Sequence, residues 1–302
     1  MSSSTVIKVD QGVMAKMSDY YDTHKKAKTP PYSTFSATKN GVTITAYTSG
    51  KVMFQGANAE QEAAIWGSAL EKKNTAPVSG LPKDFSSRSA IGSDEVGNGS
   101  YLGPVVVCAS YVDQKHMPLL KELGVKDSKE LTDREIKLIA KDIKEVIPYR
   151  ELIVTPEKYN QIQPDYNVNR MKVALHNQAI HLLLQDLAPL KPDSILIDQF
   201  TPEKNYRKYL EREKIQVTDN LYFATKAEQH HLAVAASSII CRASFLEALD
   251  QATLELGFTV PSGAGPKSDL AAAKILKRGG MNLLRQYAKL HFANTQKAQN
   301  KL

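Results

Sequence analysis

The sequence predicts an α/β protein in which a larger domain, built on a mixed sheet flanked by helices, follows a small α+β unit. A chain of 302 residues with 42% hydrophobic and 24% charged residues has a globular composition and is long for one domain. Short alternating strands occupy residues 1–73, and apolar strands interspersed with long helices occupy residues 89–302. Residues 74–88, rich in Pro, Ser and Gly, are predicted to be the linker.

The first domain has the predicted element order β-α-β-β-β-α. Asn40-Gly41 and Ser49-Gly50 are turn sequences between runs in which apolar and polar residues alternate. Helices should cover one face of this sheet, and the other face is either solvated or a surface for nucleic acid. The residues expected on that second face are Thr43, Thr45, Tyr47, Lys39 and Lys51. The predicted elements are the strands Thr5–Val9, 35–39, Val42–Tyr47 and Lys51–Gln55 and the helices Val13–His24 and Ala59–Leu70.

The second domain alternates strands with helices. Ser89–Glu95 and Pro104–Tyr111 are predicted to form a hairpin. Thr132 and Glu135 have the spacing of a capping box ahead of an amphipathic helix. The later predicted elements are the strand Arg150–Val154, the helix Asn169–Leu187, the strands Ser194–Asp198 and Leu221–Lys226, the alanine-rich helix His230–Leu256 and basic C-terminal helices.

Charge and composition restrict the classes of function. The net charge of +7 is uneven, with +3 in residues 1–80, −3 in residues 81–264 and +7 in residues 265–302. An acidic centre between basic ends suits a metal-dependent enzyme acting on a polyanion, although a basic tail can also be merely solubilising. No run of eighteen apolar residues and no signal-peptide pattern occur, so we expect a cytoplasmic protein without a membrane span. Cys108 and Cys241 are expected to be buried thiols in a reducing compartment.

Four carboxylates follow strands of the second domain. Asp94 and Glu95 end an apolar strand at a glycine-containing turn. Asp198 ends a later apolar strand, and Glu228 follows the last predicted strand. Acids at the ends of neighbouring strands meet in one crevice, where they repel one another unless a cation is bound. We therefore predict one or two Mg²⁺ ions, with Mn²⁺ as the alternative, roughly 3.5–4 Å apart if there are two. Strand caps and a helix N-terminus are the structural alternatives for these acids.

Five segments carry these acids and other polar residues in a distinctive order. They are G-S-D-E-V-G-N-G (92–99), K-D-S-K-E-L-T-D (126–133), I-L-I-D-Q-F (195–200), T-K-A-E-Q-H-H-L-A-V-A-A-S-S-I-I-C-R (225–242) and V-P-S-G-A-G (260–265). In this order and spacing they resemble bacterial ribonuclease HIII, and the first domain resembles the TATA-binding-protein-like N-terminal domain of that family. The resemblance implies a ribonuclease H-like fold with a mixed five-stranded sheet. It also implies metal-dependent endonucleolytic cleavage of RNA in RNA–DNA hybrids, leaving 5′-phosphate and 3′-hydroxyl ends.

The resemblance also implies roles for individual residues. Glutamate at position 228 and Asn98 between two glycines differ from the sister family ribonuclease HII, which has Asp and Arg or Lys at these positions. The catalytic and metal-binding acids implied are Asp94, Glu95, Asp198 and Glu228. The substrate contacts implied are Gly97, Asn98 and Gly99, whose backbone would approach ribose 2′-hydroxyls, and Lys126, Ser128, Lys129 and Lys226 near phosphates.

Other polar residues are not expected to take part in chemistry. His176 is expected in the core or on the surface of a helix. His230 and His231 are expected to be surface residues at a helix start, or to contact the metal ligands without binding the metal, because Mg²⁺ prefers oxygen ligands. Ser237 and Ser238 are expected to be small residues that let a helix approach the sheet.

Three hypotheses about the function remain open at this point. The leading one is a hybrid-cleaving ribonuclease H. The second is an enzyme like ribonuclease HII that cuts at single ribonucleotides embedded in DNA, and the third is a non-catalytic protein that binds hybrids. Nothing in the sequence demands a dimer, so we expect a monomer.

Overall fold

The computed structural model describes residues 4–30, 33–66 and 80–302. The chain divides into two compact units, Met1–Ser79 and Gly80–Leu302. Part of the predicted linker, residues 74–79, lies outside the described residues. Residues 80–88 belong to the second unit, where Phe85 is buried with its ring edge-on to that of Tyr222 at 5.2 Å. The described end of the predicted linker is therefore packed onto the larger unit.

The first unit is a four-stranded antiparallel sheet with helices packed on one face. The strand order is β1-β4-β3-β2, and the element order matches the prediction. Met17 from the first helix and Ala63 from the second pack with Ile44 and Phe54 of the sheet in one buried cluster. The predicted extension of the second helix to residues 67–70 lies outside the described residues. The elements are β1 (Ser4–Lys8), α1 (Gln11–Tyr20), β2 (Ser33–Lys39), β3 (Val42–Tyr47), β4 (Lys51–Gln55) and α2 (Ala59–Ala64).

The strand register decides which side chains share the face that α1 and α2 leave uncovered. Thr43 pairs with Gln55 and Thr45 with Met53, so these four side chains lie opposite the buried cluster. Lys39 instead pairs with buried Val42 and so lies on the helix side, where its Nζ is 3.8 Å from the centre of the Tyr20 ring. The expectation that Lys39 belongs to the uncovered face is wrong, because it shares the face of Val42.

The second unit is built on the mixed five-stranded sheet implied by the resemblance. Its strand order is β7-β6-β5-β8-β9. The strands β5 and β6 are antiparallel, as predicted for the hairpin, whereas β5, β8 and β9 run parallel. Parallel neighbours present their C-terminal ends at one edge of the sheet. The strands are β5 (Ala90–Val96), β6 (Val105–Val112), β7 (Tyr149–Val154), β8 (Ser194–Asp198) and β9 (Leu221–Ala224).

Helices cover both faces of this sheet. The long helix Leu232–Leu256 and the capped helix Asp133–Val146 contribute to the core on one face, and Val168–Leu187 contributes to the core on the other. Leu232–Leu256 is long and apolar enough to cross a membrane, but 72% of its most apolar window is buried in the protein. It is the core helix of this unit. The helices are α3 (Met117–Glu122), α4 (Asp133–Val146), α5 (Pro156–Ile162), α6 (Val168–Leu187), α7 (Glu203–Leu210), α8 (Leu232–Leu256), α9 (Pro266–Tyr287) and α10 (Asn294–Gln299).

Candidate active site at one edge of the sheet

Asp94, Glu95 and Asp198 lie at the C-terminal ends of two adjacent parallel strands, β5 and β8. Asp94 lies near the end of β5, and Asp198 is the last residue of β8. The register pairs Ser93 with Ile197, so the two carboxylates occupy equivalent positions on neighbouring strands. Glu228 follows β9 in a short 3-10 turn, Ala227–Gln229. The parallel topology thus brings together acids that are up to 134 residues apart in the chain.

The core helix α8 approaches β5 closely just before Asp94. A Cβ atom on Gly92 would lie 2.2 Å from the backbone nitrogen of Val234, which is well inside van der Waals contact. The Ser237 hydroxyl donates a hydrogen bond of 2.9 Å to the Gly92 carbonyl across this contact. The expectation that a small residue on the helix allows this approach is confirmed for Ser237. On the strand, the absence of a side chain at Gly92 is also required.

Asp94 is the most perturbed of the four acids. Only 9% of the residue is exposed. Burial, reinforced by the negative charges of Glu95 and Asp198, raises its pKa to about 8. A hydrogen bond from Ser238 and one of 2.7 Å from the Glu95 backbone nitrogen oppose this rise. Ser238 therefore does more than fill space, because its hydroxyl contacts a predicted catalytic carboxylate.

Asp198 and Glu228 have different partners. The Ala227 backbone N–H donates a hydrogen bond of 2.9 Å to Asp198 Oδ1, which orients this carboxylate. Burial raises the pKa of Asp198, and the charges of Glu228 and Glu95 add to the rise. Lys129 Nζ donates a hydrogen bond of 3.0 Å to Glu228, and this contact raises the pKa of Lys129. Lys129, one of the lysines predicted to contact phosphate, therefore contacts one of the predicted catalytic acids.

Glu95 is held by two residues of α6 that the sequence analysis did not select. Lys172 Nζ donates a hydrogen bond of 2.8 Å to Oε1, and His176 Nε2 lies 2.9 Å from Oε2. Burial alone would raise the pKa of Glu95, but His176 and Lys172 together lower it. His176 is buried as expected, yet it contacts the site. Their four-residue spacing places Lys172 and His176 on the same side of a helix, and this was the feature of the sequence that could have indicated a shared partner.

The chemistry of these donors fits a hard divalent cation. Asp94 is a buried oxygen donor and Asp198 a half-buried one, and both have raised pKa values, so a nearby cation would stabilise their ionised forms. Within residues 4–30, 33–66 and 80–302, no group of three or more His, Cys, Asp or Glu residues stands out as ready to hold a metal ion. Glu95 and Glu228 are turned toward Lys172 and Lys129 instead. The site thus has the ligands that Mg²⁺ and Mn²⁺ prefer, with two lysines paired to acids.

The glycine-containing turn follows directly after the acids. The Ser100 N–H donates to the Gly97 carbonyl at 3.1 Å and closes the turn. Gly97 has a φ of +96°, and a Cβ there would lie 2.1 Å from the Pro104 carbonyl oxygen, so only glycine fits without strain. Gly99 has open space around its Cβ position and is exposed. Gly97 is thus required by the fold, whereas Gly99 leaves room beside the turn.

The remaining predicted substrate contacts differ in accessibility. Lys126 and Lys226 are exposed, and Lys126 Nζ lies 3.7 Å from Glu130. Ser128 is buried, and its hydroxyl is 3.0 Å from that of Ser238. The contact of Ser128 with phosphate stays a prediction, and in this structure its hydroxyl is paired with that of Ser238.

Residues of the C-terminal part of the chain form hydrogen bonds with residues 100–103, which follow the glycine-containing turn. The Tyr101 N–H donates to the Gly263 carbonyl, and the Gly263 N–H donates to the Ser100 hydroxyl at 2.9 Å. Lys289, counted above as part of a basic tail, is fully buried and donates to the Gly103 carbonyl. The segment 260–265 noted in the sequence therefore has a structural role at this turn.

The two histidines after β9 are also distinguished by the structure. His231 is 3% exposed, and its Nδ1 accepts a hydrogen bond of 3.0 Å from the Ala233 N–H. Its Nε2 lies 2.9 Å from the Arg88 carbonyl. His231 is thus a buried cap of α8 and is not a surface residue, while His230 is half-buried.

The sheet order, the helices on both faces and the acids at one edge define a nuclease of the ribonuclease H class. The sequence matches the family described as Ribonuclease HII over residues 91–295 and a domain of unknown function over residues 4–78. It is 62% identical to a ribonuclease HIII from Enterococcus faecalis, with 100% of both chains covered. It is 49% identical to a ribonuclease HIII from Listeria monocytogenes, with 98% of both covered.

A solved structure agrees with these relatives. The crystal structure of Bst-RNase HIII in complex with Mn²⁺ matches with a TM-score of 0.72 and 40% identity, covering 99% of each chain. The chain belongs to the ribonuclease HIII family. It is therefore a nuclease of the hydrolase class, and its family has a divalent-metal-binding member.

Proposed function

We propose that this chain is an endoribonuclease that hydrolyses the RNA strand of RNA–DNA hybrids at the edge formed by Asp94, Glu95, Asp198 and Glu228. The observation that carries the proposal is the convergence of these acids at the ends of β5, β8 and β9, with the pKa of Asp94 raised to about 8. Acids that are destabilised in this way are common where a cation must bind.

Asp94 and Asp198 are the residues proposed to hold the divalent cation, with Glu95 and Glu228 beside them. Mg²⁺ is proposed as the ion in the cell and Mn²⁺ as its substitute, in one or two sites. The oxygen-only donor set supports this choice. When bound, the cation offsets negative charge on the reacting phosphate and favours ionisation of an attacking water.

The chain's own residues position these groups. The Ala227 N–H holds Asp198, and the Glu95 N–H holds Asp94, so both carboxylates are oriented before substrate arrives. Lys129 is 73% exposed and close to Glu228, where its ammonium group can meet a substrate phosphate. The proposed hydrolysis leaves a 5′-phosphate on one fragment and a 3′-hydroxyl on the other.

Recognition of RNA is proposed to occur at the turn of Gly97, Asn98 and Gly99. The open space beside Gly99 supports this role, since a ribose can approach the backbone there without meeting a side chain. A 2′-hydroxyl both donates and accepts hydrogen bonds, and so distinguishes RNA from DNA at such a backbone surface. Lys126 and Lys226, both exposed, are proposed to contact phosphates of the same substrate.

The first unit is proposed to bind the hybrid through its uncovered sheet face. Thr43 and Lys51 lie on this face and offer a hydroxyl for the sugar–phosphate backbone and a cation for a phosphate. Thr45 lies on the same face but is only 3% exposed, so it is not part of this proposal. Lys39 is not part of this proposal, because it lies on the helix side.

The proposed setting is a monomer in the cytoplasm. Cys108 and Cys241 are both free thiols and both buried, which suits a reducing compartment.

The proposal is tested by incubating the full chain with a labelled RNA–DNA hybrid, in Mg²⁺ and in EDTA, beside a duplex that carries one ribonucleotide. We expect multiple metal-dependent cuts in the hybrid and none at the single ribonucleotide. Asp94→Asn should bind the hybrid but not cut it. Cutting at the single ribonucleotide would favour the activity of ribonuclease HII. Hybrid binding without cleavage in either Mg²⁺ or Mn²⁺ would favour a binding protein.

A further inference from the structure

Glu95 is held from one side by a pair of residues on one turn of α6. Lys172 Nζ and His176 Nε2 contact different oxygens of the Glu95 carboxylate, at 2.8 and 2.9 Å. The Lys172 side chain is 7% exposed and that of His176 is fully buried. Both oxygens are thus engaged by groups that are shielded from solvent, and the orientation of the carboxylate is set by the fold.

Phe200 and Ser93 in turn contact Lys172 and His176 and hold them in place. The Phe200 ring lies under Lys172, with Nζ 4.0 Å from the ring centre, and stacks on the His176 ring at 5.1 Å. His176 Nδ1 lies 2.6 Å from the Ser93 hydroxyl, one residue before Asp94. A buried cation over an aromatic face and beside a carboxylate is strongly favoured in that position. These contacts and its low exposure hold the Lys172 ammonium group beside Glu95.

The second lysine at the acids is of a different kind. Lys129 also contacts an acid, Glu228, but 73% of its side chain is exposed. Lys129 can leave Glu228 for a phosphate at little cost to its own solvation, because water solvates the released ammonium group, whereas the Glu228 side chain is only 5% exposed. Lys172 has no such alternative, since leaving Glu95 would strand a buried positive charge.

We propose that Lys172 is a positioning residue whose Nζ is held by the fold beside Glu95, one of the acids at the edge of the sheet. With His176 it holds Glu95 in one orientation, and its fixed charge weakens the binding of a divalent cation nearby. The inference rests on the proposed function, in that the acids bind that cation. The charge that orients Glu95 thus lowers cation affinity, so removing it should move affinity and turnover in opposite directions.

The test compares Lys172→Met and Lys172→Arg with the wild-type full chain. Mn²⁺ binding is measured by titration calorimetry without substrate, and hybrid cleavage is measured separately. Lys172→Met should bind Mn²⁺ about ten-fold more tightly, because a unit charge is removed from a low-dielectric site. Its kcat should fall about ten-fold, because Glu95 is no longer held on that side. Lys172→Arg keeps the charge and should bind Mn²⁺ as the wild type does.

Lys129→Met is the matched comparison, since it removes a lysine that also contacts an acid but is solvated. Its Mn²⁺ affinity should change by less than about three-fold, because solvent screens the charge of an ammonium group whose side chain is 73% exposed. If Lys172→Met does not fold, the same charge is removed in a Glu95→Gln background. Glu95→Gln/Lys172→Met should then bind Mn²⁺ about ten-fold more tightly than Glu95→Gln.

The outcomes separate this inference from the proposed function. Unchanged or weaker Mn²⁺ binding on removal of Lys172, with normal binding by the wild type, would overturn the role of Lys172 alone. A fall in both affinity and kcat would also overturn it, because a merely structural residue behaves in that way. If the wild type takes up no Mn²⁺, or if Asp94→Asn binds it unchanged, the proposed metal site itself is wrong.

Discussion

Lys289 should make the stability of this protein rise with pH, which is the direction opposite to that of a salt-bridged lysine. Its side chain is fully buried, and its Nζ donates to the Gly103 carbonyl and lies 3.5 Å from the Pro104 carbonyl oxygen. Its hydrogen-bond partners among the described residues are these carbonyls, and no carboxylate contributes to its pKa. Burial lowers its pKa from 10.5 to about 7. In the unfolded chain the ammonium group keeps its ordinary pKa, so the unfolded state binds more protons between these two values.

This difference in proton binding sets the direction and the size of the change in the free energy of unfolding with pH. Because the pKa is depressed on folding, the cost of burying the charge is fully present below about pH 7 and is relieved as pH rises toward 10.5. The free energy of unfolding should therefore gain about 2 kcal/mol from Lys289 between about pH 7 and about pH 9. Lys289→Met removes this gain. It also leaves two carbonyls without a donor, at a cost of about 1–3 kcal/mol that does not vary with pH.

The assay is urea unfolding followed by far-ultraviolet circular dichroism across this pH range. Fluorescence would be misleading, because the single tryptophan, Trp66, lies in the first unit. The stability of Lys289→Met relative to the wild type should fall by about 2 kcal/mol from about pH 7 to about pH 9. Lys297→Met, an exposed lysine of the same segment, is the control and should show no such trend. A difference between Lys289→Met and the wild type that stays constant with pH would refute the argument.

Three further predictions concern the site and the first unit. Gly92→Ala should lower the free energy of unfolding by about 3 kcal/mol, since its Cβ meets the backbone of α8, and a normal melting temperature would contradict this close approach. Gly99→Ala should leave the melting temperature unchanged but raise KM for the hybrid, whereas Gly97→Ala should lower the melting temperature; equal effects on both would remove the distinction between the two glycines. Deletion of residues 1–79 should raise KM much more than it lowers kcat, and an unchanged KM would exclude the first unit from substrate binding.

Local features of the sequence were sufficient for the order of the main elements. The capping box of Thr132 and Glu135 does begin α4, and the apolar run ending at Asp198 is a strand with the predicted bounds. Short helices such as α3 and α7 were not predicted, because a six- or eight-residue segment contains too few turns to show a periodic pattern. The placement of the acids also followed from local signals, since each of them ends or follows a strand.

The partners of those acids were decided by the tertiary structure. Lys172 contacts Glu95 across 77 residues of chain, and Ser238 reaches Asp94 only because Gly92 lets α8 approach the sheet. Lys289 belongs to the basic C-terminal region, residues 265–302, and is nevertheless buried. Periodicity and turn residues act within a few positions and are visible in the sequence. Burial and the charge around a carboxylate depend on which distant segments pack together, so only the folded chain determines them.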